Sequence, residues 1–202
     1  SAKICLMTSG KLVLIIGPSG VGKSVILKQL REKHPELHVP RSATTRAKRE
    51  GEGEELYHFV GDEEFDALIE GNKVLEHAVV HGGARYGTLV EEIIPFIDDG
   101  KIVVREVDVE GFDSIRNHKH FRGDGAPYRL QSIFILPESK AQLIEHIRER
   151  APMNEDELNF RLASMEKEMN YASQCDFQVT NREGQLEETI GEVAAVIFGL
   201  NE

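Results

Sequence analysis

The stretch LVLIIGPSGVGKS, residues 12–24, decides the fold of this 202-residue chain. Its first five residues are aliphatic, which predicts a strand buried on both faces, as in a parallel sheet. The glycines that follow, with Lys23 and Ser24, match the pattern GxxxxGK[ST]. Apolar and charged residues then alternate at helical spacing over residues 23–33, and Pro35 ends the segment. Strand, glycine-rich loop and helix together predict a P-loop.

A P-loop binds phosphate groups through its backbone. Its glycines let successive N–H groups point at one anion, and the N-terminus of the following helix adds positive potential. Lys23 is expected to reach the β and γ phosphates of ATP, and the Ser24 hydroxyl to hold Mg²⁺. A plain glycine-rich turn with a solvated lysine is the alternative, which the flanking strand and helix disfavour. The predicted ATP-binding residues here are Gly17, Pro18, Ser19, Gly20, Val21, Gly22, Lys23, Ser24 and Val25.

The rest of the chain alternates between strand and helix patterns. Further buried strands are predicted at residues 102–107, 132–136 and 177–179. Amphipathic helices are predicted at residues 62–70, 90–99, 139–150, 155–173 and 186–198. This alternation predicts an α/β fold, a three-layer P-loop core with a parallel sheet.

Residues 40–88 have a different texture, with short polar and aromatic pieces rich in Ser, Thr, Gly and Tyr. We interpret them as an inserted, mixed α+β lobe for a second substrate. The expected organisation is one domain with three parts. These are a P-loop core (10–40, 90–145 and 163–202), an acceptor-binding lobe (41–89) and a short helical lid (146–162).

Composition narrows the possible partners. A formal net charge of -11 opposes binding along a nucleic acid backbone or on an anionic membrane. The apolar run at residues 12–16 is far shorter than the roughly 20 residues of a membrane span. Cys5 and Cys175 have no CxxC partner, so reduced thiols and a cytoplasmic location are expected. A monomer or a homodimer is expected.

A second set of motifs narrows the acceptor. Residues 42–52 read SATTRAKREGE, residues 57–59 read YHF, residues 86–88 read YGT and residues 106–111 read EVDVEG. With Glu76, this series resembles the acceptor-binding segments of guanylate kinases, and the resemblance extends over residues 11–198. It implies phosphoryl transfer from ATP to GMP with Mg²⁺, and dGMP as a further acceptor.

Two arginines carry the expected phosphate site. Arg46 and Arg49 are three residues apart and can both fork around one phosphate, each with paired donors. Tyr57 and Tyr86 can add hydroxyl donors. The resemblance implies that these four residues hold the phosphate of GMP. We interpret the acidic run at residues 49–55 as a solvent-exposed turn.

Guanine presents two adjacent donors, and a carboxylate can accept from both at once. Glu76 fits that need, and the resemblance implies that Ser42 and Thr88 contact the base beside it. Glu106 and Asp108 end a predicted strand, where carboxylates of a parallel sheet face the ligand crevice. Both are expected to contact GMP, and Asp108 also to hold Mg²⁺ through water.

The resemblance also implies a lid. Arg150 and Arg161 flank residues 151–159 and are expected to reach the ATP phosphates on closure, while Asn181 is expected to contact adenine. The chain departs from the usual family residues at His146, Ala151 and Glu110. The predicted catalytic residues are Lys23, Arg46, Arg150 and Arg161, with no catalytic base, because the acceptor phosphate is already anionic.

Two rival functions remain open at this point. A guanylate-kinase-like module can bind a phosphopeptide without catalysis, although such modules usually have a degraded P-loop and Gly22, Lys23 and Ser24 are intact here. A P-loop kinase can instead act on a sugar phosphate. Glu76, Ser42 and Thr88 together favour guanine over a sugar phosphate as the acceptor.

Overall fold

The computed structural model describes residues 10–80, 83–150 and 155–200. Five side chains in its helices lie outside that description, namely those of His146, Glu149, Arg150, Asp156 and Glu157. The chain divides into two compact units. The first comprises Glu36–Val104, Glu110–Leu130 and the residues up to Leu12, and the second comprises Val13–Pro35, Arg105–Val109 and the residues from Gln131 onward.

One four-stranded sheet is built from β1 (Lys11–Ile16), β6 (Ile102–Glu106), β7 (Arg129–Pro137) and β8 (Phe177–Asn181). Its strand order is β6-β1-β7-β8. β7 and β8 run parallel, with Ile135 opposite Val179. The aliphatic side chains of β1 from Leu12 onward are fully buried. The predicted strand buried on both faces is therefore confirmed.

Helices of the second unit follow the glycine-rich loop and the later strands. They are α1 (Lys23–Lys33), α5 (Lys140–Arg150), α6 (Glu155–Met169) and α7 (Leu186–Phe198). α1 contacts α7, and each helix buries one face, with Ile26 and Leu30 buried on α1. α7 ends at Gly199, whose φ of 69° is the left-handed conformation that closes a helix.

A second four-stranded sheet lies in the first unit. Its strands are β2 (Ser42–Thr44), β3 (Tyr57–Phe59), β4 (Val74–Val79) and β5 (Arg85–Leu89), in the order β3-β2-β5-β4. β2 pairs parallel with β3 and antiparallel with β5, which pairs antiparallel with β4. α2 (Asp62–Glu70) places the fully buried Phe65 against Ala43 and Leu89. The predicted inserted mixed lobe has this architecture.

Two predicted helices were too long. Residues 90–99 form a 3-10 turn, Val90–Glu92, and a separate helix α3, Ile94–Asp98. Pro95 explains the break, because a proline has no N–H to donate and is accommodated in the first turn of a helix. The helix predicted at 155–173 ends at Met169 and is followed by a 3-10 turn, Ala172–Gln174.

A further helix, α4 (Val109–Arg116), had not been predicted. α4 begins three residues after Glu106, the last residue of β6. Glu106 and Asp108 therefore lie just before a helix. No helix among the described residues is long and apolar enough to cross a membrane.

Two glycine substitutions test this packing. A Cβ on Gly87 would lie 3.1 Å from Cζ of Phe65, so Gly87→Ala is expected to lower the free energy of unfolding by about 1–3 kcal/mol through overpacking. Gly191 lies within α7 with no atom within 4 Å of such a Cβ. Gly191→Ala should therefore stabilise by about 0.5–1 kcal/mol, through helix propensity. Urea unfolding measures both, and a stabilising Gly87→Ala would contradict the packing of Phe65 under β5.

Candidate functional site

The glycine-rich loop adopts a conformation that needs glycine. Gly17, Gly20 and Gly22 have φ values of 152°, 90° and 96°, a region that side-chain-bearing residues rarely adopt. A Cβ on Gly17 would also lie 2.6 Å from the carbonyl oxygen of Ile135 on β7. The loop is thus fixed both by backbone torsion and by its close approach to the neighbouring strand.

Lys23 and the loop backbone already engage polar partners. The Lys23 ammonium donates to the carbonyl oxygens of Gly17 at 2.6 Å and Pro18 at 3.1 Å. The backbone N–H of Ser19 donates to a carboxylate oxygen of Glu168 on α6 at 3.0 Å. An anionic group thus accepts a hydrogen bond from the loop, as the loop's chemistry predicts. Sequence reasoning had missed Glu168, because nothing in its local pattern separates it from a surface glutamate.

Asn181 also contacts the loop. Its side-chain amide donates to the carbonyl oxygen of Val21 at 2.9 Å, from the end of β8. A Cβ on Gly22 would lie 2.8 Å from the same amide nitrogen. The family resemblance implies that Asn181 contacts adenine. In the structure, Asn181 supports the loop through one of its two N–H donors. Its second donor and its carbonyl remain chemically suited to a base.

The Ser24 hydroxyl donates to Glu106 Oε1 at 2.9 Å. The other carboxylate oxygen, Glu106 Oε2, is buried and has no hydrogen-bond partner among the described residues. A hydroxyl beside a carboxylate with one unsatisfied oxygen is a donor set of hard oxygens, which fits Mg²⁺. Asp108, which sequence reasoning had preferred for the metal, is exposed. The geometry therefore favours Glu106 over Asp108 as the partner of Ser24.

Four predicted acceptor residues lie in one row across the second sheet. Ser42 pairs with Tyr57 on one side and with Thr88 on the other, and Thr88 pairs with Glu76. The Thr88 hydroxyl donates to the Glu76 carboxylate, and Thr88 is fully buried. The shared register puts a phenol, two hydroxyls and a carboxylate side by side. The row Tyr57–Ser42–Thr88–Glu76 is called the acceptor row below.

Arg46 is held beside this row by a carboxylate. Its guanidinium makes a two-pronged ion pair with Glu52, at 2.9 Å and 2.6 Å, and its Nε donates to the Tyr86 hydroxyl at 3.1 Å. Glu52 also accepts the backbone N–H of Arg49 at 3.0 Å. The hydrogen bonds from Arg46 and from the Arg49 backbone lower the pKa of Glu52 to about 2. The same pairing raises the pKa of Arg46.

The interpretation of residues 49–55 as a solvent-exposed turn was therefore wrong at Glu52. The Glu52 side chain is only 23% exposed, because it is held against Arg46 by the two-pronged ion pair. The sequence did carry a signal, since an acidic residue follows two closely spaced arginines. Arg49 itself is exposed, and its backbone N–H is the group that contacts Glu52.

The predicted lid falls partly outside the described residues. The described residues exclude residues 151–154 and the side chains of Arg150 and His146, and also His81 and Gly82, which precede β5. Arg161 lies on α6. The roles predicted for Arg150 and Arg161 and the boundaries of the lid stay predictions.

The chain has a glycine-rich loop that follows a buried strand and opens a helix, and it also carries a site of arginines and tyrosines. These features define the class of the P-loop phosphotransferases. Comparison with known proteins gives the family. A family model described as guanylate kinase matches residues 9–200. The chain belongs to the guanylate kinase family.

Individual relatives agree with this assignment. Guanylate kinase from Thermosynechococcus vestitus is 37% identical over 190 residues, which are 94% of each chain. Guanylate kinase from Tropheryma whipplei is 32% identical over 176 residues, which are 87% of each chain. The crystal structure of guanylate kinase from Anaplasma phagocytophilum matches with a TM-score of 0.66 and 25% identity, and covers 96% of this chain and 87% of that chain.

The Glu52 pairing predicts an acid-dependent loss of stability. The pKa of Glu52 is about 2 in the folded chain, against about 4.3 for an unperturbed glutamate. Its contribution is therefore complete above pH ~4.3 and is lost as the pH falls toward 2. Glu52→Gln should lower the melting temperature at pH 7, and its difference from the parent should shrink below pH ~4.3. The exposed neighbour Glu55 provides the control, Glu55→Gln. A Glu52→Gln difference that stays constant from pH 7 to pH 3 would contradict the assignment.

Proposed function

We propose that the chain transfers the terminal phosphoryl group of ATP to GMP, giving ADP and GDP. The observation that carries this proposal is the acceptor row, in which Glu76 lies beside the buried Thr88 hydroxyl and in register with Ser42. A carboxylate flanked by hydroxyls matches the donors on guanine's pairing edge. The P-loop supplies the site for the other nucleotide.

Arg46 and Tyr86 would hold the phosphate of GMP. A guanidinium has five N–H donors, and the contacts of Arg46 with Glu52, Tyr86 and the Ala47 carbonyl use four of them. The Tyr86 hydroxyl accepts from Arg46, so its own hydrogen is directed elsewhere. One N–H and one O–H are thus oriented and available to a phosphate. Arg49 and Tyr57 would complete the set.

On the ATP side, Lys23 would exchange two carbonyl acceptors for the β and γ phosphate oxygens. Ser24 would hold Mg²⁺, with Glu106 as a further oxygen ligand and Asp108 acting through water. When bound, the metal neutralises charge that develops on the transferred group. Gly17 to Gly22 would supply backbone N–H donors, and Asn181 would hold the loop in shape.

The chemistry requires positioning and charge neutralisation rather than proton transfer. The attacking oxygen belongs to a phosphate that is anionic at neutral pH, so no side chain needs to remove a proton. Lys23 and Arg46 would supply fixed positive charge, and Arg150 and Arg161 would add to it. The lobe 41–89 would bind GMP, with residues 146–162 as the lid.

Observations on this chain disfavour the two rivals. A binding module without catalysis would not need the loop torsions at Gly17, Gly20 and Gly22, which serve a phosphate chain. A sugar phosphate lacks the donor pair that would satisfy Glu76 and Thr88. Both remain testable by ATP binding and by the choice of acceptor.

Replacement of the P-loop lysine tests the donor side. Lys23→Ala should lower turnover at least ~10²-fold, by analogy with the removal of one preorganised electrostatic donor, with little effect on folding because Lys23 opens α1 outside the buried core. Lys28→Ala, on the exposed face of α1, is the matched control. The assay is coupled ADP release at saturating GMP. Parent-like turnover in Lys23→Ala would remove the P-loop from the mechanism.

Replacement of the guanine-reading carboxylate tests the acceptor side. Glu76→Gln sets an amide against guanine's donor pair, which should cost about 1.5–3 kcal/mol, or roughly 10- to 150-fold in selectivity for GMP over AMP. Glu70→Gln, at the exposed end of α2, is the control. The measurement is ADP release with GMP, dGMP, AMP, IMP, CMP, UMP and ribose bisphosphate as acceptors. A parent that prefers another acceptor refutes the proposal, and equal selectivity in Glu76→Gln removes Glu76 from base recognition.

A further inference from the structure

A buried carboxylate, that of Glu92, lies in the first unit, outside the residues assigned to the substrates. Glu92 belongs to the 3-10 turn that follows β5 and is 7% exposed. Its Oε1 accepts from Arg41 Nε at 3.0 Å, from the Arg41 terminal nitrogen at 2.7 Å and from His58 Nε2 at 2.9 Å. Its Oε2 accepts the backbone N–H of Arg41 at 3.2 Å.

The charge on Glu92 is maintained by these partners. Burial pushes the pKa of Glu92 upward, but the hydrogen bonds from Arg41 and His58 outweigh it and leave the pKa below its ordinary value. A buried carboxylate without such partners would take up a proton. The turn itself is anchored by His38, whose Nε2 donates to the Glu92 carbonyl oxygen at 3.1 Å. The His38 ring stacks on Phe96 at 3.4 Å between centroids.

The partners of Glu92 adjoin the acceptor row. Arg41 immediately precedes Ser42, and His58 immediately follows Tyr57. Side chains of successive strand residues point to opposite faces, so His58 and Tyr57 lie on opposite faces of the sheet. Glu92 itself comes shortly after Thr88 along the chain. One carboxylate therefore joins the segments that carry three members of the row, from the face opposite to Tyr57.

The strands that Glu92 joins are short. β2 and β3 have three residues each, and the Ser42 N–H bonds to the Leu56 carbonyl oxygen at 3.0 Å just before β3. Two such strands fix few backbone torsions, and a short parallel pair gains little from its own ladder. The contacts of Glu92 with residues beside both strands add to the alignment that the ladders of β2 with β3 and β5 provide.

We propose that Glu92 is a positioning residue for GMP recognition. It clamps β2, β3 and the turn after β5 so that Ser42, Tyr57 and Thr88 stay in register with Glu76. Loss of the clamp loosens the row and weakens GMP binding, while the ATP site in the second unit is unaffected. This inference rests on the proposed function of the acceptor row.

The test measures KM for GMP, KM for ATP and kcat in Glu92→Gln, Arg41→Lys and the control Glu91→Gln. Glu92→Gln removes the charge at nearly constant shape, and Arg41→Lys keeps the charge but loses the two-pronged contact. Glu91 is the exposed neighbour in the same turn. Glu92→Gln should raise KM for GMP about tenfold or more, the equivalent of one charged hydrogen bond, and leave KM for ATP unchanged. Arg41→Lys should raise KM for GMP by a smaller factor, and Glu91→Gln should leave all three constants as in the parent.

A purely structural role gives a different pattern. Partial unfolding removes active molecules, which lowers the apparent kcat and leaves both KM values unchanged in the molecules that remain. That pattern, or parent-like constants in both clamp variants, overturns the proposal. If Glu92→Gln does not fold, Arg41→Lys alone decides between these outcomes. A parent that does not phosphorylate GMP refutes the proposed function instead, so the two failures are distinguishable.

Discussion

The pairing of two arginines and one loop N–H with carboxylates is the interaction on which the rest of this structure depends. The chain has a net charge of -11 and binds anions, so its positive groups must be concentrated and oriented. Glu52 orients Arg46, Glu92 orients Arg41, and Glu168 accepts from the loop N–H of Ser19. Each carboxylate satisfies a donor that would otherwise be unpaired, at the cost of added negative charge. Some of the many acidic residues of the chain therefore hold basic or N–H donor groups in place.

Backbone geometry then places these groups. In the second unit, a strand with fully buried side chains leads directly into the glycine-rich loop. Only glycine fits at position 17, because a Cβ there would lie too close to the Ile135 carbonyl oxygen. In the first unit, the pairing register of four short strands aligns the acceptor row. A shift of one residue in β2 would turn Ser42 to the other face and remove it from the row. Both sites therefore depend on strand packing before any side chain contacts a ligand.

Local sequence signals predicted a large part of this. The pattern of β1, the glycines and α1 predicted the P-loop, and the bounds of α1, α2 and α7 followed from the spacing of apolar residues, with Pro35 after α1. The family resemblance supplied the acceptor residues, whose roles stay predictions, and the structure aligns four of them in one row. The break before Pro95 was missed because apolar spacing was weighed above the missing N–H. Glu92 and Glu168 were missed because their partners lie far away in sequence, where no local period records them. Glu52 was missed although its partners Arg46 and Arg49 are close in sequence, because the acidic run was interpreted as a solvent-exposed turn.

The second sheet separates recognition from support. Tyr57 lies on one face of β3, and His58, held by Glu92, on the other. A substitution that alters the shape or polarity of residues on the Tyr57 face leaves the contact between His58 and Glu92 in place. Base preference in such a lobe can drift through single changes on one face without a loss of architecture. The two faces of the lobe can therefore vary separately, so that the shape of one face and the support of the sheet are set by different residues.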